Sequence, residues 1–364
     1  MPINNKPATV LGLFPEFGNG HVGGIQASAC AGWQAIAAGS RTELVCYSRE
    51  NGQGDGATES NNSRVRAMLS AISKKGPADL SLVWQMGLIK LLPFVRHESR
   101  RTALFLHGIE SWREQDWLTR RLLRRVDLFL SNSDYTWARF LSYNPSLSSA
   151  SHQTVPLGIE TPLSGATPAP VSNPVALMLS RLSLRENYKG HREVIRAWPL
   201  VLERWPGAEL WIAGDGDLRP VLERMADANQ VAASVKFLGR VNHAQKQQML
   251  EQSRCLLMPS RGEGFGLVYL EAMRVGRPCL VSTFDAGREV VNPPEAGLAV
   301  DPDNREALAG AIGRLLTDGP HWRRWSEQSR IRYEQNYTER HFQTRLVTTL
   351  FGQNYQRVEE ISGP

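Results

Sequence analysis

TPLSGATPAPVSNP, Thr161 to Pro174, is the stretch on which the reading of the fold turns. It is polar, dotted with proline and free of helical or strand periodicity, so it reads as a linker between domains. Upstream of it, strand-like apolar runs occur at Thr9–Phe14, Thr42–Tyr47, Leu80–Trp84, Thr102–Leu106, Leu128–Ser131 and Thr154–Pro156. Downstream the pattern restarts, at Val175–Leu179, Glu209–Ala213, Val235–Leu238, Cys255–Met258, Pro278–Ser282 and Gly297–Val300. Mixed, helix-like segments such as His191–Glu203, Asp217–Ala228 and Gln245–Gln252 lie between these runs. Such alternation predicts parallel sheets covered on both faces. The chain is therefore expected to be α/β, with two doubly wound Rossmann-like domains facing a central cleft. Ligands of such sheets bind beyond the carboxyl ends of the strands, so the chemistry is expected there. The segment His321 to Val358, rich in Trp, Arg and Glu, reads as one long surface helix.

The bulk composition agrees with this layout. At 364 residues the chain is long for a single core. It is 41% hydrophobic and 21% charged, and 42 Lys+Arg against 36 Asp+Glu leave a net charge of +6. That mild basicity is compatible with anionic substrates, acidic lipid or nucleic acid and selects none of them. Cys30, Cys46, Cys255 and Cys279 form no C-x-x-C pair and read as reduced thiols, which points to a cytoplasmic protein. MPINNKPATV lacks the basic start and apolar run of a secretory signal. Leu80 to Val95, the most apolar stretch, contains Lys90 and Pro93 and is too short to span a bilayer.

Gly18, Gly20 and Gly23 spell G-x-G-x-x-G after the first strand, which raises a dinucleotide-binding reading and an NAD-dependent oxidoreductase as the alternative function. Two features weaken it. Pro15, Glu16 and Phe17 separate the strand from the first glycine, and the second strand ends in Ser48-Arg49 where an acidic residue is wanted. Gly23 and Gly24 sit where a helix starts, and there they suit close approach of backbone N–H groups to an anion. The plain alternative is a turn with no ligand.

SRGEGFGLVYLEAMRVGRPCL, Ser260 to Leu280, carries more. A strand runs into a glycine-rich turn, and a helix starts near Leu267. Glu263 in the turn and Glu271 in the helix are on the order of 10 Å apart along the axis. That is too far for an acid/base pair and suits two hydroxyl-bearing ends of one extended ligand. The plain alternative makes Glu271 a solvated helix residue and Glu263 a cap. Upstream, Arg181 closes one strand and Lys189 opens the next helix. A guanidinium fork and an ammonium together suit a diphosphate, although single surface cations are common.

Together these elements resemble the retaining, metal-independent glycosyltransferases of GT-B architecture, family four (group 1). The resemblance rests on Glu263 and Glu271 as E-x7-E, on Arg181 and Lys189 within SRLSLRENYKGH, and on Gly23-Gly24-Ile25-Gln26. LHGIESW with His107 and PLGIE at Pro156–Glu160 add to it. It implies that Arg181 and Lys189 bind the diphosphate of a nucleotide-sugar donor, UDP- or GDP-linked. Glu263 would touch sugar hydroxyls, with the backbone of Gly264, Phe265, Gly266 and Leu267 in support, and Glu271 would hold the ribose. His107 would lie near the reacting sugar, and Gly23 and Gly24 near the donor phosphates or the acceptor. A lone histidine is more often structural. The interval SLRENY is longer than in many members, which leaves the loop shape open. The resemblance further implies hexose transfer to a glycan or lipid-linked acceptor in polysaccharide or glycolipid biosynthesis, with no metal or other cofactor and no nucleic-acid partner. A binding module without catalysis is a further alternative. The implied division is residues 1–165 for the first domain and 166–344 for the donor domain, with a helix over 345–364 packing back on the first.

Two stretches remain. Asp215-Gly216-Asp217 is a D-x-D, but two carboxylates alone make a poor cation cage and the Gly-Asp-Gly turn needs none. DWLTRRLLRRV, Asp116 to Val126, is an amphipathic basic helix. With Leu118, Leu122 and Val126 on one face, its arginines and Trp112 and Trp117 are either solvated or in peripheral contact with an anionic membrane.

Overall fold

The structure, a computed structural model, describes residues 7–15, 24–47, 68, 70–73, 75–163 and 174–352. It divides into two units, residues 1–158 with 339–364, and residues 159–338.

In the first unit, strands β1 (Thr9–Pro15), β2 (Arg41–Tyr47), β4 (Leu80–Val83), β6 (Thr102–Leu106), β7 (Leu128–Ser131) and β8 (His152–Thr154) form one sheet in the order β2-β1-β4-β6-β7-β8. Every pairing in it is parallel. Short β3 (Lys75–Ala78) and β5 (Arg96–Ser99) make a separate parallel pair that the apolar pattern does not announce. Four of the six main strands are buried at almost every position, which is why their sequences read as continuous apolar runs rather than alternating ones. Helices α1 (Gly24–Gly39), α2 (Trp117–Leu123) and α3 (Asp134–Tyr143) belong to this unit. The last two start on side-chain caps, Asp116 accepting from the Thr119 amide and Ser133 from the Thr136 amide. At the heart of the unit Trp84 lies 4.8 Å from the rings of both Phe14 and Phe105.

In the second unit, β9 (Val175–Leu179), β10 (Glu209–Ala213), β11 (Val235–Gly239), β12 (Cys255–Met258), β13 (Cys279–Ser282) and β14 (Gly297–Val300) form a parallel sheet in the order β11-β10-β9-β12-β13-β14. The strand order reverses direction between β9 and β12, the switch point at which ligands of such sheets bind. The helices are α4 (His191–Arg204), α5 (Arg219–Ala228), α6 (His243–Gln252), α7 (Leu267–Arg274), α8 (Gly287–Val291), α9 (Arg305–Leu316) and α10 (Pro320–Asn336). Asn242 and Gln245 build a capping box at the start of α6. Both sheets are those expected for a GT-B chain.

The C-terminal segment departs from expectation. In place of one long surface helix there are two, α10 and α11 (Glu339–Phe351), each with a buried face. Trp322, Trp325 and Tyr333 of α10 are buried, and so are Phe342 and Leu346 of α11. The Trp322 indole N–H donates to the Arg254 carbonyl (2.9 Å), and the buried Arg277 guanidinium stacks over its ring. Tryptophan and tyrosine rings bury large apolar area while satisfying one polar tip, so a segment of low mean hydropathy still has a face to bury.

Candidate functional site

The second unit brings its candidate residues together at the carboxyl ends of β9 and β12. Beyond β9 come Arg181, a 3-10 turn over Leu184–Glu186, and then Lys189 ahead of α4. Gly190 holds a left-handed φ of +86°, and a Cβ there would stand 2.7 Å from the Pro259 carbonyl oxygen. Only glycine lets this loop close against the end of β12. Beyond β12 the chain turns through Ser260–Gly266 into α7. Gly266, again at φ +86°, caps that helix without a side-chain hydrogen bond. A Cβ at Gly266 would meet the Tyr269 ring at 2.3 Å.

Lys189 Nζ lies 3.9 Å from Glu263 Oε2 and 3.5 Å from Glu186 Oε2. Glu186 also pairs with Arg181, whose side chain is 81% exposed. Thus Arg181, Lys189 and Glu263 occupy one region of the unit, joined by a carboxylate that the sequence reading did not single out. Glu271 sits one face along α7 and is paired with Lys246 of α6, Nζ to Oε1 2.6 Å. Phe265 is buried with its ring edge-on to Tyr337, 6.1 Å between centroids, so it can serve a ligand only through its backbone. Gly264, Gly266 and Leu267 line the start of α7, where N–H groups and the helix dipole favour an anion. Chemically, two cations, the amides of a helix start and two separated carboxylates suit a ligand with a polyanionic middle and hydroxyl-bearing ends.

Three further carboxylates set this geometry: Asp285, which lies in no recognisable motif, and the two of the D-x-D stretch. Asp285, in the loop after β13, is buried; its Oδ2 accepts from the Glu263 amide (3.1 Å) and its Oδ1 from the Gly287 amide (3.0 Å). The Ala286 amide returns a bond to the Glu263 carbonyl, 3.2 Å. Burial above all, with Glu263 adding to it, pushes the Asp285 carboxyl up to about 7. Asp217 accepts from the Leu184 amide at 2.7 Å, and Asp215 from the Gly216 amide at 2.9 Å. The D-x-D stretch thus fastens the turn that carries Glu186. His191, at the start of α4, is buried; burial first and Lys189 second lower its imidazole to about 3.

In the first unit, His107 follows β6. Its Nε2–H donates to the Trp84 carbonyl (2.8 Å), which leaves Nδ1 as an acceptor, buried and without a hydrogen-bond partner. The ring stacks on Phe105 at 4.5 Å and 9°, and its backbone N–H donates to Glu110 (2.7 Å). Burial lowers His107 to about 4, so the ring is neutral near pH 7. Gly24 is the first residue of α1 and exposed. Gly18, Gly20 and Gly23 lie outside the described residues, as do residues 353–364 and most of the linker. On α2, Leu122 and Leu123 are buried while Arg120, Arg121 and Trp117 face solvent, Trp117 at 67%. Trp112 is a correction: it is buried, its indole N–H bonded to the Thr136 carbonyl, and takes no part in that surface. Among the described residues no helix is long and apolar enough to cross a membrane.

Comparison with known proteins adds the family. A model described as "Glycosyl transferases group 1" matches residues 173–318. An uncharacterised glycosyltransferase of Methanocaldococcus jannaschii is 37% identical over 142 residues, covering 39% of this chain and 35% of that protein. A GDP-mannose-dependent alpha-(1-6)-phosphatidylinositol monomannoside mannosyltransferase of Mycolicibacterium smegmatis is 30% identical over 283 residues, 68% of this chain and 72% of that protein. The chain thus spans about a third of the first relative's length and nearly three quarters of the other's. Among solved structures, sucrose-phosphate synthase from Thermosynechococcus elongatus superposes with a TM-score of 0.74 at 19% identity, covering 97% of this chain and all of that one.

Proposed function

We propose, from the premise that this chain belongs to the group 1 glycosyltransferase family, that it transfers a hexose from a nucleoside-diphosphate sugar with retention and without a metal ion. The observation that carries this reading is the approach of Lys189 to Glu263, 3.9 Å apart at the mouth of an uncapped helix. Arg181 and Lys189 hold the diphosphate. Glu263 accepts from donor-sugar hydroxyls, the amides from Gly264 to Leu267 support sugar and phosphate, and Glu271 holds the ribose hydroxyls. The family resemblance assigns His107 to the reacting sugar, and Gly23 and Gly24 to the donor phosphates or the acceptor.

As the donor bond breaks, negative charge grows on the leaving phosphate oxygen. Arg181, Lys189 and the amides at the start of α7 meet it, and loss of one such preorganised donor raises the barrier by about 3 kcal/mol. The acceptor hydroxyl arrives on the face from which the diphosphate leaves, and the departing phosphate takes its proton. A glycolipid acceptor is favoured by the M. smegmatis relative's named substrate and by the exposed arginines and Trp117 of α2, which suit peripheral contact with anionic lipid.

The test is a panel of UDP- and GDP-sugars monitored for nucleoside diphosphate release, with and without chelator. One donor should be turned over equally in both conditions, and Lys189→Ala should cut that rate about a hundredfold. Strict dependence on Mg²⁺ or Mn²⁺, or a near-normal rate in the variant, would overturn the assignment.

A further inference from the structure

Glu186 is the residue that the proposed site does not use. It ends the 3-10 turn Leu184–Glu186, in the SLRENY interval, and its carboxylate stands between the two cations assigned to the donor. One oxygen pairs with Arg181, and the other lies 3.5 Å from Lys189 Nζ. That second oxygen is buried and makes no hydrogen bond, so it is held to Lys189 by charge alone. An anion that brings hydrogen-bond geometry to the same ammonium has the advantage over it.

The charge balance points the same way. Two cations, Arg181 and Lys189, already face two carboxylates, Glu186 and Glu263. Without a ligand the cluster is electrically closed. A diphosphate entering it adds at least two negative charges, which Arg181 and Lys189 meet in full only if Glu186 gives them up. The neighbouring Tyr188 hydroxyl registers the same field: its pKa is raised, first by burial and then by Glu263 and Glu186. The means of exchange is present as well. The Arg181 side chain is 81% exposed, so its contact with Glu186 lies open to a competing anion, and the turn beneath Glu186 presents Leu184 at 50% exposure.

We propose that Glu186 is a built-in counter-anion for the donor site, a carboxylate that occupies Arg181 and Lys189 until the diphosphate of a nucleotide displaces it. It prevents the two cations from repelling one another in the empty site and weakens nucleotide binding by the work of displacement. This inference rests on the reading that Arg181 and Lys189 take the diphosphate.

Isothermal titration of UDP and of GDP into the full-length wild type, Glu186→Gln, Glu186→Ala and Lys189→Ala separates the two. Expected are a diphosphate that binds wild type, binds Lys189→Ala more weakly, and binds both Glu186 variants about tenfold more tightly, equivalent to 1.4 kcal/mol. A Glu186 that merely positions its neighbours gives the opposite sign. If Lys189→Ala weakens binding while both Glu186 variants bind as wild type or more weakly, the counter-anion is overturned and the donor site stands. If neither diphosphate binds wild type, or Lys189→Ala binds unchanged, both are overturned.

Discussion

Asp285 belongs to no motif, and its weight comes entirely from where β13 delivers it. Its two oxygens hold the Glu263 and Gly287 amides, so it fixes the turn from which Glu263 projects. An asparagine there keeps one acceptor and points N–H groups at an amide. Asp285→Asn is expected to lower turnover about tenfold or more while the fold survives, read from kcat and the melting transition. The variant also has a stability signature. Burial raises the native carboxyl to about 7, above its ordinary value, so the native state holds its proton more tightly than the unfolded chain. The stability from this group is fully present below the ordinary carboxylate range and is lost as pH rises through about 7. His191, lowered to about 3, slopes the other way: its contribution is lost as pH falls below the ordinary histidine range. Comparing the two proteins cancels the histidine. Between pH 5 and pH 8, denaturation should show wild type losing stability relative to Asp285→Asn; parallel curves would refute the assignment.

At the scale of elements, α2 shows how one pattern serves two faces. Leu122 and Leu123 pack into the first unit, and Leu118 and Val126 lie against the same core. The arginines are left outside with Trp117. The apolar stripe is therefore structural, and any lipid contact belongs to the basic face. Full-length protein is expected to sediment with vesicles containing anionic phosphatidylglycerol and not with neutral phosphatidylcholine. Changing Arg120, Arg121 and Arg124 to Glu should abolish sedimentation, each contact near the surface being worth about 1 kcal/mol. Equal sedimentation of the charge-reversed protein would remove the idea. Element existence is legible here because strands buried on both faces write themselves as unbroken apolar runs, and eleven of the twelve expected runs coincide with observed strands to within one residue at each end. The run at Thr154–Pro156 was placed late, since β8 is an edge strand, His152–Thr154, with no buried position to mark it. The pair β3 and β5, four residues each, carries no apolar run: KGPA and RHES are mostly polar or small.

For the whole molecule, the chain leaves the first unit after Gly158 and returns to it at Glu339. Helix α11 is then part of that unit's core. Phe342 is fully buried and meets Trp84 edge-on at 6.3 Å, and Gln343 donates to the Ala31 carbonyl of α1. Phe342→Ala is expected to destabilise the first unit by about 3–5 kcal/mol. Hydrogen exchange should show protection falling in β1, β4 and α1 while β9 and β12 of the second unit keep theirs. Equal loss in both units would show that they unfold as one.

By itself the sequence determined most of the strands, the glycine-rich turn that follows β12 and the motif residues. All of these depend on burial and backbone conformation within a few positions of chain. Only the tertiary structure decided the sheet orders, the return of α11 to the first unit, and the partners of each charge: Glu186 with Arg181 and Lys189, Lys246 with Glu271, Asp285 with the Glu263 amide. A carboxylate's partner is set by which strand ends lie side by side. That adjacency is fixed by crossovers and packing, and residue spacing along the chain does not encode it.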